Sequence, residues 1–328
     1  MSSLIVRMGA LLLALLLPLP ALAGERAPAL PPAPATGAAP AARWVPMLWE
    51  VRGQEQARLL LLGSIHLLQD SDYPLPADVQ QAYGQADRVV FELAPEQMLS
   101  PQLAQAMLRA GARRSGRLQD DLPAAQWQRL QQWAQRRDMP AERLQMLKPW
   151  FAALTISLQE MARAGMRADL GLDRHLMERG RVDGKSMLGL EDGLAQIALF
   201  DAMGRQEQLQ MLAEALDEAD SNGARFADLL ASWRAGEPGA FWTQAGQPLK
   251  SAYPALYQTI NVQRNQAWLA QLPQWLGQGH GTTLVVVGAL HLVGSDGLVE
   301  QLQAKGYRVQ RLCGAAACPT QQRRRSRR

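Results

Sequence analysis

The chain is poor in the residues that announce a reaction. Its 328 residues contain two cysteines and four histidines. Two thiols exclude a disulfide-built scaffold and a cysteine-rich zinc module. There is no Gly-x-Ser-x-Gly for an esterase nucleophile, no Walker loop, no dinucleotide fingerprint and no His-Glu-x-x-His. After the first 20 or so residues no run is long and apolar enough to span a bilayer, so no transmembrane helix is expected past that point. A basic body is lacking too. The net charge is +4, with 34 Lys and Arg against 30 Asp and Glu. Five of the positive charges are the tail arginines 323, 324, 325, 327 and 328, and Arg7 is a sixth. The remaining 28 are outnumbered by the acids, so nucleic acid is not an expected partner of the fold.

What is present begins with export. Arg7, the apolar run Ala10–Leu17 and the small-x-small site Ala21-Leu22-Ala23 form a signal-peptide pattern over 1–23. Pro18 and Pro20 and the shortness of the run favour cleavage after Ala23 over a membrane anchor. A periplasmic or secreted location follows. Residues 24–42 are Pro- and Ala-rich with few large apolar side chains, the composition of an extended linker. One domain is expected over 43–314, followed by a basic, solvated tail over 315–328. Cys313 and Cys318 fall at this last boundary. Their spacing and an oxidising compartment favour a small terminal disulfide, the alternative being two free thiols.

Within the domain, strands are expected at Met47–Val51, Ala57–Leu62, Arg88–Phe91, Lys185–Leu190, Thr282–Val287 and Tyr307–Leu312. Helical patterns separate them, over 77–86, from about Pro95 to Gly180, and from Gly193 to Leu276 with a break near Gly236–Pro248. Ser295-Asp296 is expected to cap a helix carrying Leu298 and Leu302. Strands interleaved with helices imply an α/β fold, a central mostly parallel sheet with large helical insertions.

Four of these strands run into a polar residue. Gly63-Ser64-Ile65-His66 and Gly288-Ala289-Leu290-His291 repeat one strand-Gly-x-x-His pattern. Glu92 follows Val89-Val90-Phe91, and Glu191 follows Met187–Leu190. In a parallel sheet the C-terminal strand ends share one edge, where ligands bind. That geometry gathers two imidazoles and two carboxylates, a set suited to a divalent transition metal or to acid–base work on a water. Gly63 and Gly288 are expected to make the tight turns that point each His over the edge. The bland alternatives are a loop-edge carboxylate or helix cap for Glu92, and a helix-start acid for Glu191. Arg264-Asn265, beside Trp268, is either a solvated helix face or an arginine aimed at the cleft. His175 reads as a solvated helix residue and His280 as a loop residue.

Taken with Leu147-Lys148-Pro149-Trp150, Gly171-Leu172-Asp173 and Leu188-Gly189-Leu190-Glu191, these segments resemble the TraB/GumN family. That family is related to the Tiki metalloproteases and more distantly to the erythromycin-esterase/ChaN-like fold. The resemblance covers roughly Leu48 to Leu312. It implies a metal-dependent peptidase site at His66, Glu92 and His291, with Mn, Co or Zn bound and a peptide or protein as substrate. Arg264 and Asn265 match a family position facing the same cleft, and Ser64 stands where many members have Thr. The ChaN-like relatives imply an alternative, a non-enzymatic protein binding metal, haem or peptide in that cleft.

Overall fold

A computed structural model describes residues 44–313 apart from 54, 55, 222, 278 and 279. The expected signal peptide, linker, basic tail and Cys318 lie outside the described residues. The centre is a six-stranded sheet: β1 (Leu48–Arg52), β2 (Arg58–Ser64), β3 (Arg88–Leu93), β4 (Ser186–Glu191), β5 (Thr282–Gly288) and β6 (Arg308–Leu312). Their spatial order is β4-β3-β5-β2-β1-β6. β4, β3, β5 and β2 are mutually parallel, and β1 runs antiparallel to both β2 and β6. This is the mostly parallel α/β sheet expected from the sequence.

Burial explains the composition of the central strands. Leu59–Leu62, Val89–Phe91 and Leu284–Val287 are all buried, as strands covered on both faces require. β4 is less covered. Ser186 and Leu188 are exposed, because β4 is an edge strand with its outer side open. The helices that bear on the site are α1 (Ala77–Gln85), α2 (Pro149–Arg163), α3 (Leu172–Asp183), α4 (Gly193–Asp201), α5 (Arg205–Asp220), α6 (Gln263–Leu269) and α7 (Leu298–Ala304), and others, Pro101–Gly111, Ala124–Arg136 and Ala224–Arg234 among them, fill the helical insertions. α2 and α5 pack against one another as the main helical insertion. Among the described residues no helix is long and apolar enough to cross a membrane.

Three local expectations are corrected. Residues 236–248 are not a helix break, since Pro238–Gln244 and Gly246–Ala252 are short helices. Asp296 does not cap α7. Gly297 holds that position, and Asp296 instead receives Lys250 at 2.6 Å and the Tyr257 hydroxyl at 3.1 Å. His175 is half-buried rather than solvated, with its ring 4.9 Å from Tyr73, and burial lowers its pKa. His280 is exposed in its loop, as expected.

Candidate functional site

The parallel register brings the two motifs level. In the β2–β5 ladder Gly63 is opposite Val287, and Ser64 is opposite Gly288. On the other side of β5, Phe91 is opposite Val286, so Glu92 comes one residue later at the same edge. Leu93 is in turn opposite Glu191 on β4. Glu191, Glu92, the His291 arm and the His66 arm therefore stand in one row across four strands.

The two glycines work differently from the expectation. Neither Gly63 nor Gly288 has a positive φ. Gly63 lies inside β2, and a Cβ there would come 3.1 Å from Ala289 Cα and 3.2 Å from the Met47 Cβ. Its small size lets the two His-bearing arms pack together. Gly288 contributes its backbone N–H, which donates to Glu92 Oε1 at 2.7 Å.

His66 is held by a residue to which the sequence reading gave no role. Its Nδ1 lies 2.7 Å from Asp173 Oδ2, and Ser64 Oγ donates to Asp173 Oδ1 at 2.7 Å. Asp173 sits in the first turn of α3. That helix start is pressed onto the His66 loop: Leu172 N–H donates to the Ile65 carbonyl, and a Cβ on Gly171 would come 2.2 Å from the His66 carbonyl oxygen. Burial alone would raise the Asp173 pKa. The His66 charge and the bonds from His66 and Ser64 outweigh it and hold the carboxyl below its usual range. The signal in the sequence was Gly171-Leu172-Asp173 itself, a glycine where a helix start must touch another backbone, followed by an acid in the first turn.

Arg264 is buried, which removes its solvated-helix reading. All five of its N–H groups are used. Nε donates to both Glu191 oxygens at 3.1 Å, and Nη2 donates to Glu92 Oε2 at 2.6 Å and to Glu191 Oε1. Nη1 donates to the Ile260 carbonyl at 3.1 Å and faces His291 Nε2 at 3.0 Å. A π-turn over Gln258–Val262 leads into α6 and supplies that Ile260 carbonyl. Burial works against the arginine's charge, and the Glu92 and Glu191 carboxylates override it, so its pKa is raised. Glu92 is pushed upward by burial and pulled back by Arg264, His66 and the Gly288 N–H, with the upward shift prevailing. Glu191 takes a further bond from Gln196 Nε2 on α4 at 2.8 Å, a partner no sequence pattern indicated.

The network fixes the state of His291. A guanidinium only donates, so Nε2 must present its lone pair and Nδ1 must carry the proton. Nδ1–H then donates to Asn265 Oδ1 at 2.8 Å. The amide orientation is set in turn, because Asn265 Nδ2 donates to the carbonyls of His291 at 3.2 Å and Asp296 at 2.8 Å. Trp268 packs against the ring, with centroids 4.5 Å apart. Burial first, then the Arg264 and His66 charges, hold the His291 pKa well below the ordinary imidazole value.

The fit of a metal to this donor set is decided by those bonds. Both Glu92 oxygens accept hydrogen bonds, and both His291 nitrogens are engaged. Among the described residues, no three His, Cys, Asp or Glu side chains converge on one ion position. As arranged, His66, Glu92 and His291 do not fit a divalent ion. The Arg264 guanidinium supplies the positive charge that such an ion would bring, and an ion bound to Glu92 and His291 would require Arg264 to withdraw. Cys313 follows β6, is buried and is not a free thiol.

The chain belongs to the TraB/PrgY/gumN family, whose model matches residues 47–311. It is 25% identical over 244 residues to the uncharacterized protein YbaP of Escherichia coli (strain K12), covering 74% of this chain and 87% of that one. The YbaP protein of Shigella flexneri matches over the same extent at the same identity. No solved structure matches.

Proposed function

We propose that the protein is a hydrolase whose proton-transfer group is His66. The observation that carries this reading is the Ser64–Asp173–His66 chain of contacts at the carboxyl edge of the sheet. Asp173 holds Nδ1, so Nε2 is the atom that exchanges a proton with the attacking water and returns it to the leaving group. Asp173 also stabilises the imidazolium formed on the way. Arg264, Glu92, Glu191 and His291 form the adjacent floor, a cation enclosed by two carboxylates and a neutral imidazole. An oxyanion developing there meets the guanidinium by displacing one carboxylate oxygen, which must then find another donor.

A peptide bond is the substrate class that the family resemblance supplies, and the export pattern of residues 1–23 favours action outside the cytoplasm. The metal-dependent form of the reading places Mn, Co or Zn at His66, Glu92 and His291. An ion there would supply a Lewis acid, and it demands that Arg264 leave its present partners. In the non-enzymatic form, a metal, haem or peptide would be held in the same cleft without turnover.

The experiment is an assay of the purified chain on a peptide library, after chelator and after adding back Mn, Co or Zn. Turnover that survives chelation and is abolished in both His66→Ala and Asp173→Asn is the expected result. Turnover that returns only with metal selects the metal-dependent form. Stoichiometric binding without cleavage selects the binding protein. Wild-type behaviour of both variants would overturn the assignment to this edge.

A further inference from the structure

The groups of the site floor are not equally enclosed. The side chains of Arg264 and Glu92 are 5% and 6% exposed, whereas that of Glu191 is 17% exposed. Glu191 is therefore the member that a molecule arriving from solvent meets first. Its two oxygens are also used unequally. Oε1 accepts from Arg264 Nε, Arg264 Nη2 and Gln196 Nε2, while Oε2 accepts from Arg264 Nε alone, at 3.1 Å. Each carboxylate oxygen has lone pairs for more than one bond, so Oε2 has capacity to spare.

Gln196 supplies a second spare acceptor. It lies on α4, one turn after the capping residue Asp192, and is 4% exposed. Its Nε2 donates to Glu191 Oε1 at 2.8 Å and reaches Glu92 Oε2 at 3.5 Å. An ionised carboxylate only accepts, so the amide cannot turn round without setting its oxygen against one. Oε1 is thereby held away from both. Among the described residues nothing donates to it, and it is not sealed from solvent.

The charge of the site is an independent observation. Both Glu92 oxygens accept from N–H groups, so it counts as ionised. Glu92, Glu191 and Asp173 then stand as three carboxylates against the Arg264 guanidinium, with His291 neutral. Even an imidazolium at His66 leaves negative charge in excess, and exposed Asp192 adjoins Glu191. Two spare acceptors in a negative field fit a donor that carries positive charge.

We infer that Glu191 Oε2 and Gln196 Oε1 form a subsite for a cationic group of the substrate, an ammonium or a guanidinium on an organic chain. The several N–H groups of such a cation can serve both oxygens. A neutral donor could make the same bonds but would leave the excess charge unanswered. The cation also meets a need of the reaction. When an oxyanion draws Arg264 from Glu191, the released oxygen finds its new donor there. The word substrate rests on the hydrolase reading, while binding of the cation needs no turnover.

The probes are n-butylammonium and n-butylguanidinium, with n-butanol as the neutral control and sodium chloride at matched ionic strength. Each is titrated into the purified chain while the side-chain amide of Gln196 is followed by nitrogen-15 NMR. That signal is identified by its loss in Gln196→Met, whose fold is checked by thermal melting. A saturable shift with a cation, absent with n-butanol and with the salt, is expected. In turnover, peptides that differ only in Lys or Arg against norleucine should differ about tenfold or more in kcat/KM, the scale of a hydrogen bond to a charged group. Gln196→Met should erase most of that difference. No saturable shift, or an equal one with n-butanol, overturns the inference and leaves the hydrolase reading intact if the wild type cleaves. Saturation by Mn, Co or Zn with no effect of the organic cations assigns the two oxygens to a metal ion, which also overturns it. Cation binding with no turnover by the wild type keeps the subsite and removes the hydrolase.

Discussion

The two Gly-x-x-His arms have the same spacing and leave neighbouring parallel strands at the same level, yet their histidines meet opposite environments. His66 is 8% exposed and its Nδ1 faces a carboxylate. His291 is 1% exposed and its nitrogens face an amide oxygen and a guanidinium. A carboxylate partner favours a ring that takes and gives a proton, whereas a guanidinium partner keeps the ring neutral. The repeat is therefore one of position and not of role. In the proposed reaction His66 moves the proton, whereas His291 accepts from Arg264.

Removing Arg264 should do the most to break this comparison. Arg264→Met leaves buried Glu92 beside half-buried Glu191 and His291 Nε2 without a donor. A loss of ~3–5 kcal/mol is expected in urea unfolding, as for other broken buried ion pairs. A loss under about 1 kcal/mol, the scale of an exposed pair, would mean the cluster is solvated in solution.

Asp173→Asn keeps the shape and removes the charge behind His66. Turnover is expected to fall by about 10²-fold or more, the scale of a mispositioned or wrongly tautomeric base. The fall should come in kcat, with the pH profile altered. An equal loss from a distant, stability-neutral substitution would deny Asp173 this role.

His291 and Asp173 also set the acid limit of the fold. The folded His291 pKa lies below its unfolded value of about 6.5, so the unfolded chain takes the proton first on acidification. The stability held by the neutral ring is complete above that value and is lost as pH falls below it, at up to ~1.4 kcal/mol per pH unit. The lowered Asp173 pKa has the same sign at lower pH, its contribution being present above the usual carboxylate value and lost as pH falls through the folded one. His291→Gln should flatten the decline between roughly pH 6.5 and 5, as followed by thermal melts. An unchanged decline would place the acid sensitivity elsewhere.

Ser64→Ala is the smallest break. It removes one neutral bond to Asp173 and should cost ~1 kcal/mol, with a modest change in turnover. A loss of turnover as large as that of Asp173→Asn would give Ser64 a chemical role that its bond to Asp173 does not indicate.

Much of this was legible from the sequence. Apolar runs such as Leu59–Leu62 and Leu284–Val287 located the buried strands, and interleaved helices made them parallel. Parallel strands then placed His66, Glu92, Glu191 and His291 on one edge. The partners were not legible, because they come from helices whose rotation is set by packing. Asp173 reaches His66 only because Gly171 lets α3 touch the His66 loop. Arg264 turns inward after a π-turn that no periodicity announces. The edge position of β4 was not legible, because a short apolar run looks alike in a central strand and at an open edge. The glycines were read as turn residues when Gly63 serves close packing within a strand.

The contrast between the two imidazoles is measured most directly by nitrogen-15 NMR of the histidine rings across roughly pH 5 to 8, where an ordinary imidazole titrates. His291 is expected to stay neutral with the proton on Nδ1 throughout and to be unmoved by Asp173→Asn, while the His66 signals shift in that variant. A His291 ring that titrates near 6.5, or that carries its proton on Nε2, would contradict this.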